Sequence, residues 1–267
     1  MITSLKNAQV RRVRALQQRR RTRQREGALV VEGLRLCEEA VQAHVVPEFY
    51  FYVDEGEPDA RAQAVLQAWQ DVPGWPVSPA VMAACSDTET PQGLLAVVPL
   101  PAISPPLQPT MTLVLDQVRD PGNLGTILRT ALAAGVDQVL LAPGTVDATN
   151  PKVVRAAMGA HFRLSWAAMG WEAIAAAVAA CRVYLAAPRG AVSYTDVDWC
   201  EAAALVVGGE AAGAGRHARA LAAVEIAIPM AGEAESLNAA VSAAVILFEA
   251  LRQRRASHAS TWQGDET

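Results

Sequence analysis

What most narrows the fold is a repeated pattern in the second half of the chain. Five short apolar runs, TLVLD (112–116), QVLLA (138–142), RVYLAA (182–187), ALVVGG (204–209) and VEIAIPM (224–230), recur with loops and helical patterns between them. They are rich in Val, Leu and Ile at consecutive rather than alternate positions, so both faces of each strand must be buried. That is the signature of a parallel sheet covered by helices. A last helix is expected from Leu237 to about Arg255, with Leu237, Val241, Val245, Phe248 and Leu251 along one side.

The segment PLPAISPPLQP, residues 99–109, separates this half from what precedes it. Its prolines fix φ and remove backbone donors, which suits a semi-rigid linker better than a core element. The expected division is therefore a domain over 1–100, a linker over 101–109, a second domain over 110–256 and a disordered tail over 257–267. In the first domain residues 4–25 read as one helix, with Leu5, Val10, Val13 and Leu16 as its apolar stripe. ALVVEG, EFYFYV and GLLAVVPL read as strands, and helices are expected over 34–43, 59–70 and from Pro79, where Ser78 can serve as N-cap. Alternation of this kind implies a small α/β domain.

Charge is unevenly distributed. The net charge is −4, yet residues 1–26 carry Lys6 and the arginines Arg11, Arg12, Arg14, Arg19, Arg20, Arg21, Arg23 and Arg25 against Glu26 alone. A basic arm on an acidic body implies a polyanion gripped at one place, although a solvated helix face accounts for the run equally well. With 52% hydrophobic and 19% charged residues the chain can bury a substantial core. No apolar run has the length of a membrane span, and the basic N-terminus lacks the apolar stretch of a secretory signal. Cys37, Cys85, Cys181 and Cys200 are far apart and read as thiols in a reducing cytosol; with the histidines equally scattered, no metal site is expected.

Three loops at the expected carboxyl ends of strands carry candidate chemistry. In RDPGNLGTILR, Asn123 offers donors and an acceptor, the glycines allow close approach, and Arg129 presents a planar fork for phosphate or carboxylate. In VVGGEAAGAG, paired glycines and Glu210 follow a strand, but Arg216 and His217 stand where a phosphate loop needs Lys and Ser or Thr. In IPMAGEAESLNAAVSAAV, Ser236 is a good N-cap for the last helix, and the small residues after Asn238 permit close packing. Each loop alone reads as readily as an ordinary turn or cap. A nicotinamide-dependent dehydrogenase would need Gly-x-Gly-x-x-Gly after the first strand, which DPGNLG does not supply.

Taken in order, the three loops resemble the motifs of the SpoU family of RNA 2′-O-ribose methyltransferases, within the SPOUT superfamily. The matching residues are Asn123, Gly125, Ile127 and Arg129; then Gly208, Glu210 and Gly213; then Ile228, Pro229, Met230, Ser236, Leu237 and Asn238. SLKNAQVRRVRAL and LVVEG resemble the substrate-binding domain of the ribosomal-RNA branch. The chain departs from the family in having Gly209 and Ala211 beside Glu210, and Ala239, Ala240 and Val241 after the last motif.

The resemblance implies an α/β protein: a small N-terminal α/β RNA-binding domain and a C-terminal parallel-sheet α/β domain with a trefoil knot. It implies S-adenosylmethionine as methyl donor, with Gly208, Ile228 and Leu237 holding it through backbone groups and Met230 and Gly213 lining the site. Arg129 is implied as the central catalytic residue, with Asn123, Glu210, Ser236 and Asn238 orienting ribose and loops. The acceptor would be a ribose 2′-hydroxyl of structured RNA, foremost 23S ribosomal RNA, gripped by the basic arm. Transfer RNA, or an inactive RNA-binding or ribosome-assembly factor of the same fold, are the alternatives. A cytoplasmic homodimer joined through the knot region is expected.

Overall fold

The computed structural model describes residues 1–54, 60–209, 213–232 and 236–261, with side chains up to residue 257. The chain forms two compact units: Met1–Ala102 with Asp147–Arg163, and Ile103–Val146 with Leu164–Thr267. The stretch 147–163, expected within the second domain, thus belongs to the first unit.

The first unit is built on a four-stranded sheet in the order β1-β4-β2-β3, comprising β1 (Ala28–Glu32), β2 (Phe49–Tyr52), β3 (Gly74–Pro76) and β4 (Leu94–Pro99). β4 runs antiparallel to β1 and β2, and β3 lies parallel to β2. Alternate residues divide between two cores. Val30, Phe49, Phe51, Leu95 and Val97 pack with Val10, Val13 and Leu16 of α1 (Ala8–Gln18) and with Val81, Met82 and Cys85 of α5 (Pro79–Cys85). On the opposite face Leu29, Val31, Tyr50, Leu94 and Ala96 meet Leu36, Cys37 and Ala40 of α3 (Leu34–Gln42) and Val65 of α4 (Ala60–Ala68). Val154 of α7 (Pro151–Ala157) and Phe162 close that second core. The three-residue β3 has no periodicity for sequence reading to find. Its Gly74 is needed because a Cβ there would stand 2.3 Å from the Tyr50 ring.

The expected single helix over 4–25 is two. Asn7 caps α1 by accepting from Gln9 and Val10 N–H, which leaves Leu5 exposed and outside the stripe. Arg19 is extended (φ −123°, ψ 110°), and α2 (Arg20–Glu26) follows, ending at Gly27 in the left-handed region. The reason for the break lies inside the unit. Arg23, 5% exposed, donates to the Leu16 and Gln17 carbonyls, which the end of α1 leaves without helical partners, and to Thr149 Oγ1 and Asp147 Oδ2.

The second unit holds a seven-stranded, wholly parallel sheet in the order β7-β6-β5-β10-β8-β11-β9. Its strands are β5 (Met111–Asp116), β6 (Gln138–Leu141), β7 (Ser165–Ala168), β8 (Arg182–Ala186), β9 (Val192–Ser193), β10 (Ala203–Gly208) and β11 (Val224–Ala227). The short edge strands β7 and β9 were not expected from the sequence, and β11 stops before Ile228-Pro229-Met230. One face is covered by α8 (Trp171–Ala177) and α9 (Arg216–Leu221), through Ile174 and Ala218. On the other, α10 (Ala239–Thr261) packs along α6 (Pro121–Ala133) and β10. Helix α10 therefore continues past residue 257, where a disordered tail is expected; residues 262–267 lie outside the described residues. Adjacent strands β5 and β10 are followed by helices on opposite faces, so a crevice opens at their carboxyl ends, where parallel sheets collect ligands.

Candidate active site

Beside that crevice, the loops after β8, β10 and β11 and the start of α10 enclose one cavity. All five residues expected at the cofactor, Gly208, Gly213, Ile228, Met230 and Leu237, line it, and Ser236 lies among them. Ala186, Val207, Ile226 and Ile246 supply apolar wall. Among the described residues the one cation on the wall, Arg219, is paired with Glu225 at 2.6 Å. A Cβ on Gly208 would sit 2.5 Å from Ala214 N, Gly213 N–H donates to the Gly209 carbonyl, and Gly213 has φ 61°. Gly209 is equally constrained, because its Cβ would lie 2.1 Å from the Gln117 carbonyl oxygen. Glycine at 209, a departure from the family pattern, is thus what this backbone requires. Glu210 lies outside the described residues.

PGNLG, which reads as a turn, is the first turn of α6 instead. Asp120 caps this helix by accepting from Asn123 N–H at 2.8 Å, and Pro121 occupies its first position, where no N–H is needed. Asn123 is therefore inside the helix, and Asn238 Nδ2 donates to Asn123 Oδ1 at 3.1 Å. Asn238 is also the cap of α10: its Oδ1 accepts from Ala240 N–H (2.8 Å) and Val241 N–H (3.3 Å). This corrects the assignment of that cap to Ser236, since α10 starts two residues later than expected. Arg129 stands on an exposed ridge of α6 with Gly122 and Thr126. Among the described residues it has no hydrogen-bond or ion-pair partner, and it does not line the cavity.

The basic arm separates into two classes. Arg23 is a buried clasp, and Arg12 is held by Glu26 (2.8 Å) and Glu48 (2.7 Å) over the Phe49 ring. Arg14 is half-buried; Arg25 pairs with Glu26, and Arg20 stands 3.9 Å from Asp147. Arg11, Arg19 and Arg21 are exposed and, among the described residues, carry no side-chain partner. Arg23 must be withdrawn from the surface cations, because its donors are spent inside the unit.

Sequence reading missed Asp116 and Gln117. Asp116, 1% exposed at the end of β5, accepts from Gly215 N–H at 2.6 Å and so ties the loop after β10 to the neighbouring strand. Both follow ordinary strand sequence, and only the strand order brings them to the site.

A model of the SpoU rRNA Methylase family matches residues 110–248, more than half of the chain. The chain belongs to this family. The MRM3-like substrate binding domain matches residues 7–96 of the same SpoU-family chain. Its relatives include the 23S rRNA (guanosine(2553)-2′-O)-methyltransferase RlmP of Bacillus subtilis, 32% identical over 92% of this chain and 97% of that protein. The 23S rRNA (uridine(2479)-2′-O)-methyltransferase of Streptomyces viridochromogenes is 31% identical, covering 97% of this chain and 94% of its own. A crystal structure of the SpoU methyltransferase AviRb from Streptomyces viridochromogenes, in complex with AdoMet, superposes with a TM-score of 0.83 at 30% identity over 94% and 99% of the two chains.

Proposed function

We propose that this SpoU-family chain is an S-adenosylmethionine-dependent methyltransferase acting on a ribose 2′-hydroxyl of large-subunit ribosomal RNA. The observation that carries the reading is the convergence of all five expected cofactor residues on one cavity. Its chemistry suits that donor, which has no phosphate to neutralise: mostly apolar side chains and glycines line it, and among the described residues its one cation is already paired. When bound, S-adenosylmethionine supplies an electrophilic methyl group on a sulfonium.

The protein's share is alignment and proton handling. Gly208, Ile228 and Leu237 offer backbone groups to the donor, and Met230 and Gly213 shape the wall. The Asn238–Asn123 hydrogen bond ties the start of α10, on the cofactor side, to the first turn of α6, on the acceptor side. Arg129, exposed and without a partner among the described residues, takes the phosphate beside the target ribose and polarises its hydroxyl. A guanidinium stays protonated, so it does not act as a free base. Ser236 and, by its place in the motif, Glu210 have the role of orienting the ribose, the arginine and the loops.

The C-terminal segment forms a trefoil knot in this reading, supported by the way the loops after β10 and β11 and the start of α10 share one cavity. Val241 and Phe248, 47% and 48% exposed and two turns apart on α10, form the face of a homodimer. The test is Arg129→Ala: methyl transfer to ribosomal RNA should fall at least about a hundredfold while donor affinity, followed by calorimetry, stays at the parent value. Loss of donor affinity in that variant would remove Arg129 from the acceptor side.

A further inference from the structure

A second depression, of about 460 Å³, opens at the carboxyl ends of β5 and β6, entirely within the second unit. On one side the indole of Trp171 and the imidazole of His217 lie nearly parallel, with centroids 5.9 Å apart and 16° between planes. Arg216 stands at the rim, its Nε–H donating to His217 Nε2 at 3.3 Å. On the other side is Gln117, whose backbone is left-handed (φ 57°) although it carries a full side chain. That conformation is strained for a non-glycine residue, and such strain is kept where the surrounding structure fixes it. Here the surroundings are glycines: a Cβ on Gly144 would lie 3.0 Å from Gln117 Cγ, and one on Gly215 would lie 3.1 Å from Gln117 Nε2. Gln117 Oε1 is occupied by Arg119 at 3.0 Å, so the amide presents its NH₂ group. The neighbouring carboxylate, Asp116, is spent on Gly215 N–H.

We propose that this depression receives one unpaired base of the RNA substrate, stacked against the Trp171–His217 pair, with the Gln117 amide donating to an acceptor on the base edge and Arg216 meeting the adjoining phosphate. Parallel aromatic faces beside a guanidinium, with one amide donor in the lining, form the chemistry that recognises splayed single-stranded RNA bases. The place is suitable for a nucleotide next to the reacting one. Gly213 and Ala214 line the cofactor cavity and Gly215, Arg216 and His217 line this depression, so one continuous stretch walls both. The inference rests on the methyltransferase reading, since it takes RNA as the ligand.

The experiment uses the full chain and two probes: a mixed-sequence single-stranded RNA of ten nucleotides and an abasic ribose-phosphate strand of equal length. Trp171→Leu and His217→Ala should each weaken binding of the RNA by about tenfold, within the range expected of base–aromatic stacking, and Gln117→Gly by roughly three- to tenfold, as expected for one lost hydrogen bond. They should leave the abasic strand unaffected. Trp171→Phe, which keeps a ring, should restore most of the RNA affinity. Gln117→Gly should be at least as heat-stable as the parent, so its weakened RNA binding cannot come from misfolding. Equal RNA affinity in parent and variants, or equal loss for both probes, would overturn the base site. Donor binding and methyl transfer by the parent are measured separately; their absence would count against the enzyme reading and leave the probe comparison standing.

Discussion

The amide of Asn238 is divided between two tasks that substitution can separate: Oδ1 caps α10, while Nδ2 donates to Asn123 Oδ1. Asn238→Ala removes both, and loss of an N-cap costs about 1 kcal/mol, or roughly 2–4 °C in Tm for a domain of this size. Asn238→Asp keeps the cap acceptor, and a negative charge suits a helix N-terminus. It also turns a carboxylate toward Asn123 Oδ1, an acceptor facing an acceptor. The Asp variant is expected to melt within about 2 °C of the parent while methyl transfer falls about tenfold. Parent-like transfer by that variant would show that the Asn–Asn link does not set the site. The sequence motif marks Asn238 for function, but Ser236 is as good a capping residue by type. Only where α10 begins decides between them, and that depends on how the preceding loop closes around the cavity. Gln117 shows the same limit, since a left-handed glutamine between glycines from two distant loops leaves no trace in local composition.

Among the elements, those with strong periodicity follow from sequence: β5, β6, β8 and β10 lie within about one residue of the expected runs, and Val10, Val13 and Leu16 are fully buried. Elements fixed by distant partners do not. The break at Arg19 exists because Arg23 turns inward to meet Asp147 and Thr149, more than a hundred residues away. The short 3-10 turn at Ala160–Phe162 belongs to the same assembly and has a thermodynamic consequence. His161, 1% exposed, donates through Nε2–H to the Ala148 carbonyl at 2.8 Å, and burial lowers its pKa from 6.5 to about 4. Unfolded, this imidazole binds a proton below pH 6.5; folded, it resists until about pH 4. The unfolded state therefore holds more protons across that window, so stability is complete above pH 6.5 and falls as the pH drops toward 4. The loss attributable to this group is up to roughly 3 kcal/mol. Urea denaturation at a series of pH values checks it: His161→Gln, which can still donate but does not titrate, should flatten the dependence between pH 6.5 and 4. An unchanged slope would assign the acid sensitivity to other groups.

Across the whole molecule, charge rather than shape determines how a polyanion is met. With a net charge of −4 the chain as a whole repels RNA, so binding must rely on local cation density. The basic arm is the obvious segment to delete, but α1 supplies Val10, Val13 and Leu16 to the core of the first unit, and Arg23 is a buried clasp. Removing residues 1–26 would unmake that unit and reveal nothing about phosphate contacts. Geometry singles out Arg11, Arg19 and Arg21 instead, which are exposed and without side-chain partners among the described residues. Changing these three to Gln keeps helix propensity and leaves the ion pairs of Arg12 and the Arg23 clasp intact. If each arginine meets one phosphate, the triple variant should bind ribosomal RNA more weakly. The slope of log K against log salt should then become shallower by about 2–3, at roughly 0.7–0.9 per contact. Far-ultraviolet circular dichroism and Tm should match the parent, because no buried contact changes. A parallel downward shift with the slope preserved would place the lost affinity in RNA-independent folding, and an unaltered slope and affinity would move the phosphate grip to other basic residues such as Lys6 or Arg20.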